Sequence, residues 1–87
     1  MVRVAVEQLT WQEVEGELVV LDLATSSYLA LNRVGAFLWP ALVEGASRDG
    51  LVAELVSNFV VDDEQAGRDV DEFLAELARR NLLDQPA

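Results

Sequence analysis

The residues of this 87-residue chain whose types and spacing come nearest to chemistry are carboxylates: Asp62, Asp63 and Glu64, then Asp69, Asp71 and Glu72. A calcium loop needs ligands at alternating positions, a glycine at the turn and a distal glutamate. This run instead has the form of a helix start, with Asp62 and Gln65 spaced as in a capping box and the acids complementing the positive helix N-terminus. Thr25, Ser26 and Ser27 are a second candidate set, but the chain has no histidine to activate a hydroxyl. It has no cysteine either, which together with the missing histidine removes thiol chemistry, disulfides, the usual zinc ligands and the usual general base. Gly45 and Gly50 do not form a phosphate-cradling loop. The residues therefore point to a protein that is not an enzyme, needs no metal or cofactor, and works by binding.

Charge narrows what it binds. Sixteen acidic residues against six basic ones, all arginine, leave a net charge of −10, which repels phosphate backbones. Nucleic acid is a poor partner on that ground, and none is expected. Apolar residues make up 52% of the chain, enough for a real core without staples. A chain this short buries only about 60% of its unfolded surface, so residues 1–87 are expected to form one domain. The first residues lack the pattern of a secretory signal, and no apolar run approaches the ~20 residues of a membrane span. A cytoplasmic protein without a membrane partner is expected.

The elements that must position a binding site are organised around Leu18 to Gly35. Two runs rich in Val, Leu and Tyr flank the four-residue cluster Ala24-Thr25-Ser26-Ser27, the pattern of strand, turn, strand. Asn32 is suited to be the N-cap of a helix that follows with almost no linker. Upstream, Val2, Val4 and Val6 alternate as in a half-buried strand, but Leu9 and Trp11 are one residue out of step, which predicts a bulge or break near Glu7 and Gln8. Glu15-Gly16 can make a tight turn. The result is a meander with strand one ending near Val14, strand two over Glu17 to Asp22 and strand three over Ser27 to Leu31. Leu29 and Leu31 should face the helices while Tyr28 and Ala30 face away.

Val34, Phe37, Leu38, Ala41 and Leu42 keep helical spacing through helix one, with Pro40 inside it and a stop at Glu44-Gly45. Ser47 can cap helix two, whose stripe is Leu51, Val52, Leu55, Val56 and Phe59. Ala66, Val70, Phe73, Leu74 and Leu77 make the stripe of helix three, with Glu64–Arg68 and Glu76–Arg80 as favourable i, i+4 pairs. The tail from Asp84 to Ala87 is expected to fray. The fold class is α+β: a winged-helix-like, three-stranded antiparallel meander followed by three helices.

Asp22, the Tyr28-Leu29-Ala30-Leu31-Asn32 run, Gly35, Leu38-Trp39 and the stretch from Asp69-Val70 to Leu83 resemble the PqqD-like peptide-recognition domains, also called RiPP precursor recognition elements. The resemblance covers roughly residues 14 to 84 and rests on spaced apolar positions and element order. It implies a non-catalytic protein that holds the leader peptide of a ribosomally made precursor as an added antiparallel strand on strand three, with side chains laid against helix three. By position, the peptide-binding residues are then Ser27, Tyr28, Leu29, Ala30 and Leu31 on the strand, and Ala66, Gly67, Val70, Asp71 and Leu74 on the helix. An open strand edge beside an apolar wall is independently what strand addition requires.

Quinone-pathway members of that family usually carry a Pro-Glu turn and a cysteine-containing segment in the first helix. Here the turn is Asp22 to Ser27 and the helix has Leu38-Trp39-Pro40. The chain is thus more similar to the stand-alone lasso-peptide proteins, which implies as partners a precursor leader peptide, a separate leader peptidase of the cysteine-protease type and a cyclase. A peptide chaperone of pyrroloquinoline quinone biosynthesis is the second reading, and a winged-helix DNA binder or adaptor the third.

Overall fold

Glu15 and Gly16 both have positive φ, 52° and 83°, which gives a two-residue turn matching the twist of a hairpin. In the computed structural model, which describes residues 1–84, this turn joins β1 (Leu9–Val14) to β2 (Glu17–Asp22). A four-residue turn then leads to β3 (Ser27–Leu31), and the three strands form one antiparallel sheet in the order β1-β2-β3. Asp22 is buried at the start of that second turn, where its Oδ1 accepts the Ala24 N–H at 3.0 Å and its carbonyl accepts the Ser26 N–H at 2.8 Å. Leu31 is buried and Leu29 half-buried on the helix side of β3, while Tyr28 and Ala30 are exposed on the other.

Three helices follow: α1 (Arg33–Glu44), α2 (Arg48–Asn58) and α3 (Asp63–Arg79). Each opens on a side chain that accepts a free backbone N–H three residues on. Asn32 takes that of Gly35 at 2.8 Å, Ser47 that of Gly50 at 3.0 Å, and Asp62 that of Gln65 at 2.8 Å. The Gln65 side chain does not reach back to complete a capping box; it donates to Asp69 at 2.8 Å. Pro40 cannot donate to the carbonyl four residues back, yet α1 runs through it to Glu44 and ends on Gly45 at φ 100°.

The N-terminal segment departs from the expected strand. Val6–Gln8 is a short 3-10 turn, at the predicted phase break, and residues before it make only two isolated bridges, Val2 with Ala46 and Val4 with Leu83. The reason lies in helix ends, whose last carbonyls lack intrahelical partners. Val4 donates its N–H to the Leu42 carbonyl at 3.0 Å, and Val2 and Ala46 exchange two bonds at 2.7 and 2.9 Å. The segment thus ties the end of α1 to the residues after α3. Asp84, expected to fray, is held: its N–H reaches the Arg3 carbonyl at 2.7 Å and its carboxylate pairs with Arg3 at 2.9 Å. The rest of the predicted frayed tail, residues 85–87, lies outside the described residues.

Between the sheet and the helices the core holds Val20, Leu31, Leu38, Trp39, Leu42, Leu55, Val70 and Leu77 among others. Trp39 is 1% exposed, and its indole N–H has no acceptor among the described residues. A buried donor left unmatched costs ~1–3 kcal/mol.

Candidate peptide-binding site

β3 is paired on one side only, and the parity of its free groups follows from the hairpin. Val14 and Glu17 close a two-residue turn, and bonded pairs alternate along an antiparallel ladder, so the odd-numbered residues of β2 bond toward β1. The bond from the Leu23 N–H to the Gln8 carbonyl, 2.8 Å, extends that series one step past the strands. The even-numbered residues of β2 therefore bond to their register partners Ser27, Leu29 and Leu31. What remains at the outer edge of β3 is the N–H and C=O of Tyr28 and of Ala30. No further strand lies on that edge among the described residues.

A groove of about 590 Å³ runs along this edge, between β3 and α3. Leu29, Ala30, Leu31 and Asn32 form one wall, and Val34 at the start of α1 closes part of it. The facing wall is the α3 face that carries Asp69, Glu72, Phe73, Glu76 and Arg79, spaced as one helical stripe. Phe73 is its main apolar surface. It packs over Gly35, where an added Cβ would lie only 3.0 Å from the ring.

This wall is not the one expected from the sequence. Ala66, Gly67 and Val70 are buried, pointing into the core, because α3 packs its small residues against α2 and the interior. Arg48 of α2 also donates to the Gly67 carbonyl at 3.5 Å. Asp71 is exposed but engaged elsewhere: Arg48 donates to both of its oxygens, at 2.6 and 2.9 Å. Leu74 is half-buried against the core and does not line the groove. Of the strand residues, Leu29, Ala30 and Leu31 line the groove directly. Tyr28 offers its edge backbone, and Ser27 is turned into the preceding turn, where its hydroxyl lies 2.6 Å from that of Thr25.

The groove wall is acidic. Glu76 is bracketed by Arg79 at 2.9 Å and Arg80 at 3.2 Å, and the Arg79 hydrogen bond above all holds its carboxyl below the usual range. Asp69 accepts from Gln65, and Glu72 has no ion-pair partner among the described residues. The other members of the acidic cluster are spent locally: Asp62 on its cap, Glu64 on Arg68 at 3.5 Å, Asp71 on Arg48. Among the described residues no group of histidine, cysteine or carboxylate side chains is placed to hold a metal ion. The arrangement offers instead backbone donors and acceptors, an apolar floor and a charged rim, the surfaces that an extended peptide can use.

The fold is shared with known proteins. TbiB1, solved in complex with the TbiA(beta) leader peptide, superimposes with a TM-score of 0.85 at 29% identity, over 98% of each chain. A lasso peptide synthetase B1, complexed with its leader peptide, has the same fold with a TM-score of 0.81, at 21% identity over 98% of this chain and 96% of that one. No curated protein matches the sequence. The family described as Coenzyme PQQ synthesis protein D (PqqD) matches residues 17–83, most of the chain and all three helices, and the protein belongs to that family.

Proposed function

We propose that this chain is a non-catalytic recognition protein that binds the leader peptide of a ribosomally made precursor, of the lasso-peptide kind, by strand addition to β3. The observation that carries this is the open edge of β3, with the groups of Tyr28 and Ala30 unpaired, beside a groove floored by Leu29, Leu31 and Phe73. Leader binding by TbiB1, which shares the fold over its whole length, supports the same reading. The bound precursor is then presented in the cytoplasm to a separate leader peptidase and a cyclase. Main-chain pairing supplies sequence-tolerant affinity while the groove selects side chains, which suits a protein that must hold a substrate without acting on it.

A second reading, a peptide chaperone of pyrroloquinoline quinone synthesis, is favoured by the family description itself. The two predict different ligands for one groove. The deciding experiment titrates the TbiA(beta) leader, as a lasso-type probe, and a quinone-precursor leader against this chain, and follows backbone amide exchange. Protection should rise at Tyr28 and Ala30, whose amides are free, and change little at Leu29, already bonded to β2. Saturation with unchanged exchange at both edge amides would sink the strand-addition reading.

A further inference from the structure

A second cavity, of about 570 Å³, opens on the other side of the β3–α1 junction. Its walls are aromatic: Trp11 meets Trp39 edge to face with ring centres 5.5 Å apart, and Phe37 meets Phe59 likewise at 5.1 Å. One charged group in it is unmatched. Arg3, Arg48, Arg68, Arg79 and Arg80 each have a carboxylate within ion-pair distance, whereas Arg33 has none among the described residues and lies over Phe59, 5.5 Å from the ring centre. In a chain with sixteen acids an arginine without a carboxylate partner is unusual. Glu13 also lines the cavity, from β1, but makes no ion pair with Arg33.

We propose that this cavity is a second subsite for the same peptide, taking an apolar side chain next to a carboxylate from the segment N-terminal to the paired strand. The inference rests on the strand-addition reading, because pairing direction decides which end of the peptide arrives. β3 runs toward α1, so an antiparallel peptide leaves the groove at the Leu31–Asn32 end with its N-terminal part. That end is where Arg33 opens α1. The first turn of α1 is a wall shared by both cavities, with Val34 on the groove and Arg33, Ala36 and Phe37 on the second cavity. The aromatic walls select an apolar side chain, and the free guanidinium, which is suited to forked carboxylate contacts, selects the acid beside it.

The test is a selection from a phage-displayed random peptide library on three folded proteins, the parent, Arg33→Gln and Ala30→Pro, each checked by thermal melt. Peptides enriched on the parent should carry an acid next to an apolar residue at a fixed distance before the strand-pairing segment. That preference should vanish on Arg33→Gln, and a synthetic enriched peptide should bind this variant about fivefold more weakly, the size of one partly exposed ion pair. Since both tryptophans line the cavity, saturation with that peptide should also shift tryptophan emission. Identical acidic preference on parent and Arg33→Gln, no acidic preference on either, or unchanged emission at saturation would overturn the subsite. Enrichment indifferent to Ala30→Pro is a different result and removes the groove reading itself.

Discussion

Arg48 grips Asp71 at two points, Nε to Oδ1 at 2.6 Å and Nη2 to Oδ2 at 2.9 Å, fastening the first turn of α2 to the middle of α3. The contact turns Asp71 away from the peptide groove and makes it a strut between helices. Chiefly through the Arg48 hydrogen bond, the Asp71 carboxyl is held below its ordinary range, and the same contact raises Arg48.

A carboxyl depressed in the folded state adds stability above its unfolded pKa, about 4, and loses it as pH falls through the folded value. Asp71→Asn should therefore melt below the parent at pH 7, and the gap should close on acidification below about pH 4. Thermal melts of the two proteins across that range measure it. Leader affinity at pH 7 should stay within about twofold of the parent, since the residue does not line the groove. A pH-independent gap would mean that the strut is not electrostatic.

Val70 and Phe73 divide the two faces of α3. Val70 is fully buried, so Val70→Ala should lower stability by ~2 kcal/mol and leave the affinity of the folded fraction unchanged. Phe73 lines the groove, so Phe73→Ala should weaken leader binding about tenfold, the effect of losing one aromatic anchor. Denaturant melts and peptide titrations on both variants separate the cases. The reverse pattern would restore the helix wall expected from the sequence.

Gly35 gives a quieter test of the same wall. A Cβ there would approach the Phe73 ring at 3.0 and 3.2 Å, so the ring must move at the edge of the groove. Alanine is the better helix former by about 1 kcal/mol, which offsets the crowding. Gly35→Ala should then melt within a few degrees of the parent while binding leader about fivefold more weakly. Equal affinity would show that the ring position is not used.

What the sequence made legible is what local chemistry decides. Asn32, Ser47 and Asp62 cap where their side chains predict, Glu15-Gly16 turns, and β3 alternates inward leucines with outward Tyr28 and Ala30. The N-terminal valines were misleading because alternation reports burial and not pairing: Val4 is fully buried, yet its partners are helix ends. The face of α3 is hard to assign from sequence for a similar reason. Ala66, Gly67 and Val70 are buried, and on an amphipathic helix the small and apolar face marks the core. The groove face lies one residue around, where Phe73 interrupts the acids Asp69, Glu72 and Glu76. Phe73 belongs by spacing to the same apolar stripe as Val70 and Leu74, so its place at the border between core and groove is visible only once the helix is packed. Arg48's choice of Asp71 over its neighbouring acids depends on how α2 crosses α3, which no local pattern carries.

The strand edge itself gives the sharpest prediction. Tyr28 and Ala30 are two residues apart and so present their N–H groups to the same side, the open one, while Leu29 presents its N–H to β2. Proline removes a donor and blocks approach, but an edge strand tolerates it where the N–H faces outward. Tyr28→Pro and Ala30→Pro should each fold, with Tm lowered only slightly by the narrowed φ, and each should lose leader binding by more than tenfold, one backbone bond at ~0.5–1.5 kcal/mol plus the steric block. Leu29→Pro should fail differently, because it breaks the pairing with Val20 at the centre of the sheet and should abolish the cooperative melt. A leader that bound the folded Tyr28→Pro and Ala30→Pro proteins like the parent would have to lie somewhere other than along β3. An alternation of fold loss at 29 with binding loss at 28 and 30 follows from the direction of the backbone groups, since the exposed Tyr28 ring and the small Ala30 methyl are chemically unlike.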